Sequence, residues 1–214
     1  MAVQITQAES LQDDPVLSAA VAGKSSLLEL HVNGAAAEAI WELDRVDGRP
    51  GLTLRLRDQA GYRSSASFAP LELRNDTGLT SRLTSLGEAM RRVVEWRKTV
   101  DLLLDRLRPW CVSLPGEPAV CKNVSRVSEQ QSGEYLVLGL IVALGNRLMT
   151  ITPVAAWVVG WDGLVEMNGP GDRATLVYSR DTNEWYHIPN YLPYRQLPLT
   201  ERLFRDLAVE CLDD

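Results

Sequence analysis

Between residues 28 and 68, apolar positions recur at every second residue in four short runs. These are Leu28, Leu30 and Val32; Ala39, Trp41 and Leu43; Leu52, Leu54 and Leu56; and Tyr62, Ser64, Ala66 and Phe68. Period two marks a strand with one buried and one wet face. The connectors Asn33-Gly34, Asp47-Gly48-Arg49-Pro50-Gly51 and Asp58-Gln59-Ala60-Gly61 are rich in turn residues, so the runs predict an antiparallel four-strand meander. Its wet face is acidic on the first two strands (Glu29, Glu38, Glu42) and basic on the next two (Arg55, Arg57, Arg63). A hairpin around 47–51 would set Glu42 opposite Arg55. Ion pairing on a solvated face accounts for this pattern; a binding surface is the alternative. Upstream, residues 11–22 read as a short helix with Asp13 or Asp14 as N-cap and Pro15 in the first turn.

The period then changes. Leu79, Leu83, Leu86, Met90, Val93, Arg97, Val100, Leu104 and Leu107 alternate spacings of four and three, which predicts an amphipathic helix over 79–108, about 45 Å long. Asp76 or Thr77 can cap it, and Pro109 should end it. The spacing is that of a coiled coil, but Ala89, Val94, Trp96 and Leu103 widen the stripe beyond a two-helix seam. A core helix is therefore the first reading, and homodimerisation through residues 79–108 the second. Arg97, the one polar residue in the stripe, should bridge at the rim or mark a bend.

Residues 109–134 hold three prolines and the run Ser128-Glu129-Gln130-Gln131-Ser132-Gly133, the composition of a connection, with Val120–Val127 as a possible edge strand. Tyr135–Leu144 is apolar on both faces, as in a central strand. Gly145-Asn146 predicts a turn and 148–152 a strand. Pro153 predicts a break before 154–159. A hairpin is expected around 181–184, between 174–179 and 185–188, and a closing helix over 200–212, with Thr200 as N-cap and Leu203, Phe204, Leu207 and Cys211 on one face. The fold class is thus α+β: the N-terminal meander and long amphipathic helix (1–110), then a second antiparallel β-rich half closed by a C-terminal helix (111–214).

Composition narrows the function. The 214-residue chain has 28 acidic and 22 basic residues, a net charge of −6 and a pI near 5.1, a poor balance for neutralising nucleic-acid phosphates or anionic membranes. Nineteen of the basic residues are Arg and three are Lys, a skew that GC-rich bacterial coding sequence would produce. The N-terminus lacks a basic region followed by an apolar run, so no signal peptide is read there. The most apolar stretch, 135–161, is broken at 145–147 and at Pro153 and is too short to span a bilayer. Three cysteines without a CxxC spacing fit a reducing compartment, and the expected location is the cytoplasm.

No dedicated chemistry is legible. Three Cys and two His, scattered, make no zinc set, and neither Gly160-Trp161-Asp162-Gly163 nor Gly169-Pro170-Gly171 is a nucleotide loop. No catalytic residue, metal or cofactor is predicted. Tyr186–Tyr191 resembles, over six residues, the segment that closes SH3 domains, but that family's acidic loop and N-terminal tyrosine motif are missing here. One density stands out: Trp157, Trp161, Tyr178, Trp185, Tyr186, Tyr191 and Tyr194 crowd the C-terminal half. Core packing would use most of these rings, while interface hot spots draw on the same residue types. A functional surface is expected where Trp161, Asp162, Trp185, His187 and Tyr191 converge. The predicted function is a non-catalytic accessory or adaptor protein that contacts another protein; the alternative is a small-ligand binder or enzyme with an aromatic pocket in 111–214.

Overall fold

In the computed structural model, which describes residues 4–7, 37–46, 49–58, 61–68, 76–130, 132–189 and 195–213, the alternating runs become strands. These are β2 (Ala37–Val46), β3 (Arg49–Asp58) and β4 (Arg63–Phe68), joined antiparallel in sequence order. Leu54, Leu56, Tyr62 and Phe68 are buried, whereas Arg55, Arg57 and Arg63 are exposed. Burying only alternate residues selects the extended conformation here. The expected strand at 28–32 and helix at 11–22 lie outside the described residues. A strand not foreseen from the sequence, β1 (Gln4–Gln7), runs parallel to β2.

The register corrects one expectation. Glu42 stands opposite Thr53, and Arg55 opposite Ile40. The strands reach Val46 and Arg49, so only Asp47-Gly48, a dipeptide suited to two-residue hairpin loops, lies between them. The pairing is slid by two residues from the expected one, a shift that preserves the parity of the strands.

The long helix α1 spans Asp76–Val112, about 55 Å. Leu83, Met90, Val93, Val100, Leu104 and Leu107 are buried, and so are the flanking Ala89, Trp96 and Leu103. The wide stripe is core. Pro109 does not end the helix, which continues to Val112. Only the hydrogen bond from residue 109 is lost, and the added turn buries Cys111 and sets Trp110 5.7 Å from the Phe204 ring. Arg97 Nε donates to the Leu136 carbonyl at 2.9 Å.

The chain divides into two compact units, Met1–Glu95 with Ser128–Tyr135, and Trp96–Val127 with Leu136–Asp214. In the second, β5 (Ala119–Glu129) pairs with β6 (Gly133–Leu144), followed antiparallel by β7 (Arg147–Ala155), β8 (Leu164–Asn168), β9 (Arg173–Ser179), β10 (Glu184–Ile188) and the short β11 (Leu197–Pro198). Pro153 is not a break. It sits inside β7, and the pairing with β8 shifts register between Pro153 and Ala155; such a bulge is where a sheet tolerates a missing N–H. Strand β8 lies where turns and glycines predict only loop. Its Val165 and Met167 are fully buried.

Helix α2 (Glu201–Leu212) closes the chain. Thr200 caps it by accepting from the Leu203 N–H at 3.2 Å, and Phe204, Leu207, Ala208, Cys211 and Leu212 are buried. Its C-terminal carbonyls are met by the Gly171 N–H (3.1 Å, to Cys211) and by Arg147 (3.2 Å, to Leu212). The architecture is α+β, with two helices and a mostly antiparallel sheet among the described residues.

Candidate functional site

Strand β10 carries three of the residues in question, and strand alternation sorts them. Trp185 and His187 point to one side and are 6% and 8% exposed. Tyr186 points to the other, where its ring lies 5.8 Å from that of Trp161. Trp185 is wedged between Trp96 at 5.9 Å and Tyr178 at 5.3 Å. It belongs to the core that α1 covers. The two tryptophans singled out from the sequence therefore occupy different environments, one interior and one half-exposed.

Asp162 is engaged locally. Its Oδ2 accepts from the Arg180 N–H at 2.8 Å, and Oδ1 lies 4.0 Å from Arg180 Nε. Its own N–H donates to the Tyr178 carbonyl at 2.9 Å. The carboxylate thus pins the start of the β9–β10 turn. That turn is further tied by Tyr178, whose hydroxyl donates to Asn183 Oδ1 at 2.7 Å. Tyr191 lies outside the described residues.

His187 faces a different environment. Its Nδ1 lies 3.1 Å from the Thr175 carbonyl. A carbonyl only accepts, so Nδ1 carries the hydrogen; in a neutral ring that tautomer has its lone pair on Nε2. The residue lines a cavity of about 250 Å³ shared with Asp172, Arg173, Leu197, Asp206 and Glu210. Cys211, also on its wall, has its thiol pushed up to about 11, first by burial and then by the negative charge of Asp172. It is a weak nucleophile there. Among the described residues no group of three or more His, Cys, Asp or Glu is placed to hold a metal ion.

The feature that sequence reasoning missed is the loop after β7. Trp157 there is 44% exposed and Val159 91%, and Val154, near the end of β7, is 38% exposed. The loop is not loose: Val158 and Trp161 exchange backbone hydrogen bonds of 3.2 and 3.0 Å, and Gly160 turns the chain at φ 84°. A valine immediately before a turn glycine, between two tryptophans, was the available signal. The uniformly apolar run Val154–Val159 predicts strand instead.

Fold and site together define an α+β protein with an apolar, backbone-tied loop beside an aromatic core. Compared with protein-family profiles, with curated proteins and with solved structures, the chain matches none. No helix among the described residues is long and apolar enough to cross a membrane.

Proposed function

We infer that this chain is a non-catalytic cytoplasmic accessory protein that acts through contact with another protein, and that the loop Val154–Trp161 is its docking element. The observation that carries this reading is Val159, nearly fully exposed at the tip of a hydrogen-bonded turn. Exposed apolar side chains are ordinary when scattered. Grouped on one loop with a tryptophan, they are the material of an interface hot spot. A turn already held by its own backbone bonds loses little freedom on binding, which favours affinity. The cytoplasmic part of the reading rests on three cysteines that are all free thiols.

Native mass spectrometry of the protein taken from its own source tests this, with a Val159→Asp, Trp157→Ala variant beside it. A second polypeptide lost in the variant, at unchanged thermal stability, is the expected result. A homodimer retained by the variant would instead favour association through the 79–108 helix, on which Leu102 is 72% exposed. A bare monomer at every concentration would overturn both.

The second reading, a small-ligand pocket in residues 111–214, is favoured by the His187 cavity. Its polar wall offers the Nε2 lone pair and three carboxylates against one guanidinium, which suits a small cation or hydrogen-bond donor. Loss of such binding in His187→Gln, with Tm preserved, is its test.

A further inference from the structure

A cavity of about 580 Å³ lies in the first unit. Its walls come from β3, β4 and the β5–β6 turn, and include Arg55, Arg57, Arg63, Ser65, Ser128 and Glu134. The strand register explains how the cations gather. Arg57 is the direct cross-strand partner of Arg63, and Arg55 that of Ser65, so all three guanidinium groups rise from one face within two successive rows. Like charges directly opposite one another destabilise a bare sheet. Arg63 is next paired with Glu134 on β6, and Arg57 is in register with Glu38 on β2. Of the charged residues named on its lining, three are Arg and one, Glu134, is acidic, in a chain whose net charge is −6.

The backbone holds this end of the groove in place. Gly133, at φ +80°, brings the start of β6 so close to β4 that a Cβ there would lie 2.5 Å from the Arg63 carbonyl oxygen. One residue beyond Glu134, the buried Tyr135 donates its hydroxyl to Glu129 Oε2 at 2.7 Å. That draws one nearby carboxylate into a fixed bond. Each guanidinium presents five donors in a planar fork. Ser65 and Ser128 add hydroxyls.

We propose that this groove binds a small phosphate-bearing polyanion of about nucleoside-diphosphate size. Planar forks match tetrahedral oxyanions two oxygens at a time, and an excess of one sign of charge along a cleft concentrates the opposite ion. The volume falls within the range of small-molecule pockets and exceeds what orthophosphate alone would fill.

Titration calorimetry of the full chain at low ionic strength, with inorganic pyrophosphate and ADP as probes and citrate as the carboxylate comparison, tests this. Saturable binding of a phosphate probe, weakened at least tenfold in both Arg57→Gln and Arg63→Gln and unchanged in Arg126→Gln, is the expected result. The ligand-free Tm of the two groove variants should be unchanged or higher, because a like-charge pair is removed; the phosphate probe should raise Tm in the parent only. No saturable binding, binding insensitive to Arg57 and Arg63, or citrate binding as tight as pyrophosphate would each overturn the assignment. So would a single-stranded oligonucleotide that binds more tightly than ADP, because the ligand would then be a nucleic acid.

Discussion

The indole rings of Trp96 and Trp185 lie 5.9 Å apart between centroids, at an interplanar angle of 40°. That tilted contact joins α1 to β10 and makes Trp185 a core residue. Trp185→Ala should therefore cost about 3–5 kcal/mol, read as a lower urea midpoint at unchanged slope. Trp161→Ala, which gives up a half-exposed ring contact with Tyr186, should cost only about 1 kcal/mol. Equal losses would contradict the burial of the two rings.

Two glycines should be intolerant for a steric reason. A Cβ on Gly163 would lie 1.9 Å from the Trp96 ring, and one on Gly169 would lie 1.9 Å from the Cys211 carbonyl oxygen. The indole can tilt, but the carbonyl belongs to the last turn of α2. Gly169→Ala should thus be the worse of the two, each destabilising by at least about 1–3 kcal/mol in thermal melts. Gly145→Ala meets nothing within 4 Å and serves as the comparison, although its φ of 63° adds backbone strain.

The thiols should separate by reactivity. Burial raises Cys111 from 9.0 to about 12, and burial with Asp172 raises Cys211 from 9.0 to about 11; Cys121 is exposed. One thiol, Cys121, should react with a disulfide reagent at pH 8 in the native protein, and three after denaturation.

The same shifts set a pH dependence. Both native thiols hold their protons more tightly than unfolded ones, so their contribution to stability is complete below about pH 9. It falls as pH rises through about 11 and about 12. Urea midpoints should drop across that range, and less steeply in Cys111→Ala.

Thr200→Ala removes the acceptor for the Leu203 N–H and should cost about 1 kcal/mol. Thr200→Ser should retain most of the stability, which distinguishes capping from packing in the same denaturation experiment.

Much of this fold was legible because burial imposes a period. Leu54 and Leu56 recur at the period of a strand and are buried, and the wide stripe around Trp96 favours a core helix over a two-helix seam. The failures were those of local rules met by tertiary packing. Pro109 reads as a stop, yet Cys111 and Trp110 gain more from one further turn than the missing hydrogen bond costs. Pro153 reads as a break, yet a bulge accommodates it. Gly163 and Gly169 let an indole and a helix end approach, which no local pattern announces. The candidate site was less legible still. Alternation along β10 correctly separates Trp185 from Tyr186, but nothing in the sequence says which side of the strand α1 will cover. That choice sends Trp185 inward and leaves Val159, on a neighbouring loop, in water.

The helix Asp76–Val112 and the strand Gly133–Leu144 each begin in one compact unit and end in the other. The consequence is temporal. As the chain leaves the ribosome, the N-terminal hairpins emerge early, but the residue that pairs with Arg63, Glu134, is made only after the whole helix and the strand Ala119–Glu129. The first unit is complete only once Ser128–Tyr135 have been made; until then the β4 edge of its sheet waits, open to any other strand that reaches it first.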